Sequence, residues 1–595
     1  MHSSLERLDH SESAGRREII VRMYRQGLGD CFLLALPTDD PKQPRYVLID
    51  CGVHSRESQG TERLGQAMRN LARATGGCLH VVVATHEHAD HLSGFVQKDS
   101  PFLTPDLEVK SVWLAWTEKR GDEDADPLRR KRGHAEAVIR RAVEQATAQP
   151  TPAAKNLAGV LDAFTEFEHP APHAVNVTEV TAKIENWAAA NSAARKFLAP
   201  GEVSRVLGAS KTKGKPEPTS NELALGVLAA KAGDDHTHYC EPGRVQSIPD
   251  VSDLRAYVLG PPRPTGTKGD LLRRADPQKI RGRQENDPEG QYNEVYLSGG
   301  NDTRALALAP ALLPDEETKE GVWVSDIHYP FAGQYRREYL SFEGEGDTAK
   351  VNWKKNQSDR TRVAESFLKD NYLDPAQHWR RIDGDWLQSA EQLALNLNGD
   401  TNNTSLVLAF EWGPPGKGKV LLFPGDAQVG NWLSWRDHKY QAGDVTLTAD
   451  DLLRRTILYK VGHHGSHNAT VRRDPREVTE TSPLGVPFGL ELMNDVVAMI
   501  PVDYQAAREK KKVWDMPADR LYRRLREKAR RRVLRADESI TPLNPPEEPD
   551  LVPQSTTWQP IPGLKHAHWR RSAENFTIGD NLGPLYYDVA FELED

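Results

Sequence analysis

The sequence predicts an α/β fold whose core of buried strands and amphipathic helices is interrupted by two large insertions. Short β-branched apolar runs end directly in polar clusters, most clearly in CLHVVVATHEHADH at 78–91. Amphipathic stretches stand between such runs, as in GTERLGQAMRNLARA at 60–74, where apolar residues recur at helical spacing. Segments 119–236 and 264–395 lack the strand pattern. We therefore expect one core unit decorated by partly helical insertions.

Length and composition limit the class of protein. The chain has 595 residues, and its 38% hydrophobic content is enough for a buried core while leaving much exposed loop. No run approaches the ~20 apolar residues that a membrane helix needs, so we expect no membrane association. Residues 1–17 are polar and charged, without the apolar stretch of a secretory signal, and we expect a disordered lead-in there.

Charge and cysteine usage add two further expectations. The net charge of −9 argues against binding nucleic acid over the whole surface, although a local basic patch remains compatible with it. The four cysteines form no CxxC pair, which argues against a zinc knuckle. Scattered cysteines in a long chain are typical of a reducing cytoplasm, so we expect a cytoplasmic protein with free thiols.

The first core segment reads as four strands and a helix, and the last strand leads to a histidine cluster. Residues 18–53 contain two strands joined by the turn QGLGD at 26–30, followed by the buried strand RYVLIDCG. After the amphipathic stretch, a β-branched strand from Leu79 to Ala84 ends in HEHADH. The carboxyl ends of buried strands are where α/β folds usually place their active sites. We therefore expect the site to be built here.

Core-like strands return later in the chain. They are GRVQSIPDVSDLRAYVLGPP near 243–262, TNNTSLVLAFEW at 401–412, KVLLFPGDAQ at 419–428, TILYKVGHHGSHN at 456–468, DVVAMIPVD at 495–503 and LYYDVAFELE at 585–594. Two of these strands again end in polar clusters, GD and HHGS, so one end of a sandwich can gather all three clusters.

These features divide the chain into seven segments. They are a disordered lead-in (1–17), a first core part (18–118), a helical insertion (119–236), a second core part (237–263), a second insertion (264–395), a third core part (396–545) and a C-terminal extension (546–595).

The residue types at the strand ends indicate a metal site. In an extended segment, His86 and His88 project to the same side and can reach one ion, while Asp90 and His91 can face a second. Asp426 follows the strand at 419–423, where a carboxylate can bridge two ions. A purely structural role explains such a concentration poorly. A degenerate site that no longer binds metal remains an alternative.

The motifs resemble a known family. THEHADH matches the HxHxDH signature of the metallo-β-lactamase superfamily, and Asp50 resembles its early aspartate, which braces the metal loop. More narrowly, the order of QGLGD, HEHADH, NNTSLVL (402–408), GDA (425–427) and LYKVGHHGS (458–466) is similar to the metallo-β-lactamase domain of the bacterial DNA-uptake (competence) channel protein and its soluble relatives. The resemblance covers the segments 18–118, 237–263, 396–435 and 451–540.

The resemblance implies a fold and a set of site residues. The fold would be a four-layer αβ/βα metallo-β-lactamase sandwich. The implied metal ligands are His86, His88, Asp90, His91, Asp426 and His464. It also implies one or two divalent ions, Zn²⁺ or alternatively Mn²⁺. Asp90 would orient the attacking water, and His463 would lie behind the ligands or act as a proton donor, which makes these two the candidate catalytic residues.

The chain departs from the family pattern at two places. Many members of the superfamily carry a third histidine just before the SLVL strand, where this chain has Thr401, Asn402 and Asn403. The competence-type pattern often ends in GHP, where this chain has Met516 before Pro517. Both departures leave the number of metal ions open.

The function implied is that of a metal-dependent hydrolase that uses a metal-activated water, and specifically of a phosphodiesterase or nuclease. Its partner would be a nucleic acid or nucleotide substrate, and protein partners are open. A predicted helix from Arg520 to Arg535, rich in arginine and preceded by Lys510–Lys512, could attract a phosphate backbone or simply be a solvated face. Two alternatives remain: a hydrolase of an ester, thioester or lactam, and a non-catalytic scaffold with a vestigial metal site.

Overall fold

The structure of the chain is a computed structural model. The structure describes residues 18–40, 43–54, 59–147, 176–187, 192–199, 218–263, 340–343, 350–353, 397–474, 476–477, 485–508, 516–537, 560–577 and 583–594, together with a few isolated positions. The predicted lead-in 1–17 and most of the predicted insertion 264–395 lie outside the described residues.

The described strands and helices have the following bounds. The strands are β1 (Glu18–Tyr24), β2 (Cys31–Leu36), β3 (Arg45–Cys51), β4 (Cys78–Leu79), β5 (Val81–Ala84), β6 (Glu108–Val109), β7 (Val112–Ala115), β8 (Thr237–Cys240), β9 (Val245–Ser247), β10 (Leu254–Gly260), β11 (Leu340–Glu343), β12 (Lys350–Trp353), β13 (Val407–Trp412), β14 (Lys419–Phe423), β15 (Tyr440–Ala442), β16 (Val445–Leu447), β17 (Thr456–Lys460), β18 (Arg473–Asp474), β19 (Val486–Pro487), β20 (Val497–Ile500), β21 (Val533–Arg535), β22 (Leu564–Arg571) and β23 (Tyr586–Leu593). The α-helices are α1 (Gly60–Ala74), α2 (Ala89–Val96), α3 (Ala125–Thr147), α4 (Val177–Trp187), α5 (Ser192–Phe197), α6 (Ser220–Ala232), α7 (Val429–Ser434), α8 (Ala449–Arg454), α9 (Tyr504–Arg508) and α10 (Asp519–Lys528).

Two mixed sheets dominate the fold. The first has eight strands in the order β22-β23-β1-β2-β3-β5-β7-β8, antiparallel as far as β3 and parallel from β3 to β8. The second has seven strands in the order β21-β20-β17-β14-β13-β10-β9, parallel from β21 to β14 and antiparallel beyond. The prediction of an α/β protein is therefore confirmed.

Alternation along the strands distributes the core between the two sheets and their helices. On β1, Ile19 and Val21 belong to a buried cluster that also contains side chains of the second sheet, such as Leu408. Ile20 belongs instead to a second buried cluster, which also contains side chains of α1, α2, α4, α5 and α6. Likewise Tyr459 of β17 packs outward with α7, α8 and α10. The sheets thus face each other, and helices cover their outer surfaces.

Segments predicted as additions to the core contribute directly to it. β22 and β23, from the predicted C-terminal extension, pair onto β1 and complete the first sheet. Helix α6, from the end of the predicted helical insertion, is buried against the first sheet through residues such as Leu223 and Val227. Among the described residues, no helix combines the length and apolarity that crossing a membrane requires. All four cysteines are free thiols, as predicted.

The basic segment at 520–535 differs from the prediction. Its helix ends at Lys528 and the chain then forms the strand β21, so a continuous arginine helix to Arg535 is wrong. The reason is tertiary: β21 pairs with β20 and buries its side chains, including Arg535, which binds Asp537. Most other arginines of the segment are ion-paired within the protein. These pairs are Arg523–Asp519, Arg524–Glu491, Arg530–Asp495 and Arg532–Asp495. Lys510–Lys512 lie outside the described residues.

Glu491 anchors this segment, and its ionisation gives a testable pH dependence. Burial opposes ionisation of its carboxyl, but hydrogen bonds from Arg524 and Arg472 outweigh it and lower the pKa of Glu491 to about 2. A carboxyl group whose pKa is lower in the folded protein stabilises the fold at pH values above its pKa in the unfolded chain, about 4.3. This stabilisation is lost as the pH falls towards the pKa of the folded protein.

Glu491→Gln is therefore expected to lower the Tm at pH 7, and the difference from wild type should shrink as the pH falls from about 5 to about 3. Thermal unfolding followed by circular dichroism at several pH values measures this. Glu62→Gln, at an exposed position of α1, is the control and should leave Tm unchanged at every pH. A Tm difference for Glu491→Gln that stays constant with pH would contradict the assignment.

Candidate metal centre

Strand ends of both sheets meet at one edge of the molecule. β3 ends beside Asp50 and β5 is followed by His86, while in the second sheet β14 is followed by Asp426 and β17 by His463 and His464. The two sheets are joined there by a hydrogen bond of 2.8 Å that the amide of Leu406 donates to the carbonyl oxygen of Thr85. The predicted site residues are thus gathered at this edge.

Asp50 organises the loop that follows β5. Its carboxylate accepts hydrogen bonds from the amide and the hydroxyl of Thr85 at 2.8 and 2.7 Å, and its Oδ2 lies 2.8 Å from Nδ1 of His91. Asp50 has a left-handed backbone (φ 55°), which is unusual for a non-glycine residue. These contacts orient the imidazole of His91 and direct its Nε2 towards the second sheet.

Close backbone approach brings the QGLGD turn and the HADH segment together. The amide of Asp30 donates to the carbonyl oxygen of Asp90 at 3.0 Å, and the amide of Gly52 donates to the carbonyl oxygen of Asp30 at 2.9 Å. A Cβ atom on Gly52 would lie 2.4 Å from the carbonyl carbon of Asp90, and one on Gly29 would lie 2.5 Å from the oxygen of Gly52. Only glycine fits at these two positions.

The second sheet supplies its residues on a strained turn. His463 (φ 45°) and His464 (φ 52°) are consecutive left-handed residues at the end of β17. Such conformations cost of order 1–3 kcal/mol each and cluster at functional sites. Nδ1 of His464 lies 2.7 Å from the carbonyl oxygen of Pro501, which follows β20. The turn therefore aims Nε2 of His464 at the first sheet.

Four fully buried side chains form a cluster that could hold a metal ion. Asp30, His91, Asp426 and His464 each offer an atom within 4.8 Å of the others. Asp90 adjoins this cluster, since its Oδ2 lies 3.0 Å from Nε2 of His464 and 3.9 Å from Nε2 of His91. Imidazole nitrogens and carboxylate oxygens are the ligands of zinc and related divalent ions.

His86 and His88 lie next to the cluster and are buried. Nε2 of His86 is 3.0 Å from Nδ1 of His88, and the rings of His86 and His91 are 4.2 Å apart between centroids. Burial and the neighbouring His91 hold the pKa of His86 well below its usual range. The six predicted ligands are therefore neighbours.

The ionisation of the cluster reflects its concentrated negative charge. Burial works against charged forms, but His91 and Lys460 keep the pKa of Asp426 well below its usual value, and His91 and His464 do the same for Asp90. Conversely, burial opposes protonation of His91, yet Asp426 and Asp30 raise its pKa well above the usual range. Protons on the imidazoles of His91 and His464 thus balance the negative charge of the carboxylates. A bound dication would displace these protons, which makes metal affinity dependent on pH.

Two residues of the site are missing from the set that the sequence predicts. The sequence places Asp30 only in the QGLGD turn and Lys460 only in the LYKVGHHGS motif. In the structure their side chains form a buried ion pair within the cluster. Burial raises the pKa of Asp30 to about 6, although Lys460 and His91 favour its charged form. Their positions in the sequence indicate the site, because Asp30 immediately precedes β2 and Lys460 is the last residue of β17.

Asn402 and Met516, which stand where the family pattern has histidines, are both buried. Asn402 is fully buried and donates from Nδ2 to Oδ1 of Asn398 at 2.8 Å, while its own Oδ1 has no hydrogen-bond partner. Met516 is buried and packs with the helices that cover the second sheet. Neither position carries an imidazole that could complete a ligand set.

The predicted helical insertion directly contacts the HEHADH segment at 86–91, called the metal loop below. Arg132 of α3 forms an ion pair with Glu87, which lies between His86 and His88. Asn221 of α6 donates from Nδ2 to the carbonyl oxygen of Glu87 at 2.8 Å. Residues outside the HxHxDH motif therefore fix the loop that carries it.

Comparisons with known proteins do not assign the chain to a family. The sequence matches no model of a known protein family, and it matches no curated protein. What is established is an α/β protein with two mixed sheets and a buried histidine–aspartate cluster that could hold a metal ion.

Proposed function

We propose that this protein is a metal-dependent hydrolase of the metallo-β-lactamase superfamily, with the four-layer αβ/βα sandwich of that fold. The observation that carries the proposal is the buried cluster at the joint edge of the two sheets, on the residues of the HxHxDH, GDA and HHGS motifs. The sheet order, with helices on both outer surfaces, supports the fold.

Unpartnered polar atoms in the cluster support metal binding. Nε2 of His91 and Oδ2 of Asp426 are buried and lie 3.3 Å apart as a charge pair, without a well-oriented hydrogen bond to any group. Buried polar groups are rarely left unpaired, and an ion is one of the partners that resolve such a case. The Nδ1 atoms of His91 and His464 are already held by Asp50 and Pro501, which leaves both Nε2 atoms to bind.

The spacing of four atoms fits a divalent ion. Nε2 of His464 lies 3.0 Å from Oδ2 of Asp90 and 3.9 Å from Oδ2 of Asp426, and Nε2 of His91 lies 3.3 and 3.9 Å from the same atoms of Asp426 and Asp90. Ligand atoms around tetrahedral zinc with bonds of about 2.0–2.2 Å are roughly 3.3–3.6 Å apart. We therefore assign the ligands as Asp90, His91, Asp426 and His464. Asp30 is engaged by Lys460, and its oxygens lie 3.7 and 3.8 Å from the Nδ1 atoms of His91 and His464, which Asp50 and Pro501 already hold.

A divalent ion bound there would supply Lewis-acid chemistry, lowering the pKa of a bound water towards ~7 and stabilising negative charge. The residues of the chain provide the rest. Oδ1 of Asp90 is buried without a partner while Oδ2 faces His464, so Oδ1 is placed to accept a hydrogen bond from the attacking water. Although burial opposes ionisation, His91 and His464 keep the pKa of Asp90 low, so its carboxylate stays ionised for this role.

His463 is the second candidate catalytic group. Its Nδ1 has no hydrogen-bond partner, and the residue is 6% exposed, more than the 0–1% of the four proposed ligands. Burial lowers the pKa of His463 to about 4, so its imidazole is neutral at pH 7. We assign it the role of a hydrogen-bonding group for the substrate or leaving group rather than that of a standing acid.

The proposed substrate is a phosphodiester in a nucleic acid or nucleotide. The motif order resembles that of the competence-type branch, and the phosphoryl group matches a site that combines a cation with a water-orienting carboxylate. The net charge of −9 confines any nucleic-acid contact to a local surface. An ester, thioester or lactam is the alternative substrate class, and a vestigial scaffold is the non-catalytic alternative.

Activity assays separate these candidates. Purified protein supplied with Zn²⁺ or Mn²⁺ is expected to hydrolyse bis-p-nitrophenyl phosphate and to act on single-stranded or double-stranded nucleic acid. Asp90→Asn should reduce the rate by about 100-fold or more, because positioned acid–base groups contribute 10²–10⁴-fold. Asp99→Asn is the matched control. Asp99 is exposed and lies three residues beyond the end of α2, so this variant should retain the wild-type rate.

Turnover of ester or thioester substrates alone would overturn the phosphodiesterase assignment. Absence of both bound metal and turnover would favour the scaffold.

A further inference from the structure

We infer that the centre holds a single metal ion, because the ammonium of Lys460 occupies the oxygen of Asp426 that a second ion would need. This inference rests on the proposed metal centre and specifies its ion count. It also makes Lys460 and Asp30 positioning residues, which act on the ion through Asp426.

Lys460 is held inside the protein by three acceptors. Its side chain is 1% exposed, and Nζ donates to the carbonyl oxygen of Gly425 at 2.8 Å, to Oδ1 of Asp426 at 3.3 Å and to Oδ2 of Asp30. An ammonium group has three N–H donors, so these acceptors use all of them. Lys460 therefore has a fixed place and a fixed charge.

The two oxygens of Asp426 have different surroundings. Oδ1 accepts from Nζ of Lys460 and also from the backbone amide of His463 at 3.0 Å. Oδ2 has no hydrogen-bond partner and faces the Nε2 atoms of His91 and His464. With Oδ1 engaged by two donors, Asp426 offers one oxygen to one ion and is not free to bridge two through separate oxygens.

The side of the site that a second ion would use offers two imidazoles. The nitrogens of His86 and His88 lie 3.0 Å apart. Among the described residues, the one group of three or more histidine, cysteine, aspartate or glutamate side chains within reach of each other contains neither of them. Where a third histidine would precede β13, the chain has Asn402, whose Nδ2 is turned to Asn398.

Charge balance agrees with this arrangement. Asp30, Asp50, Asp90 and Asp426 bring four buried carboxyl groups close together. Buried charges need partners, and Lys460 supplies one permanent positive charge beside two of them. One dication together with Lys460 then leaves little of the negative charge that would attract a second dication.

Metal stoichiometry tests the ion count. Dialysed holoprotein is analysed by elemental analysis, and the apoprotein is titrated with Zn²⁺ and, for a visible absorption signature, with Co²⁺. We expect one equivalent in the wild type and again one in the double variant His86→Ala/His88→Ala. Two equivalents in the wild type, with the second lost in the double variant, would overturn the inference. The wild-type value decides alone if the double variant does not fold.

Lys460→Met tests the positioning role. Loss of the ammonium removes a donor that orients Asp426 and a positive charge beside the ion, so it should change the affinity for the ion by about 10-fold or more and change the Co²⁺ spectrum. Lys110→Met removes an exposed lysine that pairs with Glu108, and it should leave both unchanged. An unaltered affinity and spectrum for folded Lys460→Met would contradict the role. Hydrolysis is measured separately, so one bound ion without turnover would refute the proposed activity and leave this inference standing.

Discussion

Replacing His91 with alanine is expected to abolish stoichiometric metal binding. His91 is fully buried, its Nδ1 is held by Asp50, and its Nε2 faces Asp426 without a hydrogen-bond partner. Removing a group that merely orients a ligand costs about 10–100-fold in affinity, so removal of a ligand should cost more than about 100-fold. Titration of the apoprotein with Zn²⁺, followed by calorimetry, measures the loss, and hydrolysis should fall with it.

The control for this variant is His566→Ala. His566 lies on the exposed face of β22, in the HAHW sequence that we interpret as incidental to metal binding. The His566→Ala protein should bind metal with the same affinity as the wild type. Wild-type affinity in a folded His91→Ala protein would remove His91 from the ligand set.

Replacing Gly52 with alanine is expected to have the largest effect on stability. The added Cβ would lie 2.4 Å from the carbonyl carbon of Asp90 and 2.5 Å from the amide nitrogen of His91, which are backbone atoms that cannot turn aside. Overpacking costs typically about 1–3 kcal/mol, and we expect at least the upper end here because the contacts are with backbone. Chemical denaturation should therefore show a reduced free energy of unfolding, together with weakened metal binding.

Gly65→Ala is the matched substitution. Gly65 lies within α1, where a Cβ would meet only the ends of the Gln97 and Arg69 side chains at 3.5 and 3.6 Å. Alanine is favoured over glycine inside a helix by about 0.5–1 kcal/mol, so stability should be unchanged or increased. Equal stabilities of the Gly52→Ala and wild-type proteins would show that the metal loop is not packed as described.

Local patterns predicted much of the fold and of the site. β-branched runs such as 81–84 became strands, and the polar residues at their ends were correctly placed at one edge. Motif order alone also named distant partners: His464 and Asp90 are 374 positions apart in the chain, yet their side chains lie 3.0 Å from each other.

What the sequence could not predict depends on long-range pairing. The ion pair of Asp30 and Lys460 forms only because the turn before β2 meets the end of β17 across the two sheets. The addition of β22 and β23 to the edge at β1 is likewise a matter of register between the two ends of the chain. Strand pairing across such separations leaves no periodic signal within either segment.

The arginine-rich segment shows how composition can mislead. Its spacing suited a long solvated helix, but Val533 is a β-branched residue, and with Leu534 it extends the second sheet beside β20. Tertiary pairing outweighed helix propensity there. Its arginines then found carboxylates such as Glu491 and Asp495, which reduces the charge available to a nucleic acid.

We propose that one divalent ion binds between His91, His464, Asp90 and Asp426. X-ray diffraction from crystals grown with Zn²⁺, recorded above and below the zinc absorption edge, locates such an ion. We expect one anomalous peak in contact with the two Nε2 atoms and the Oδ2 atoms of both aspartates. A cluster without a peak, or a zinc ion held by other residues, would contradict it.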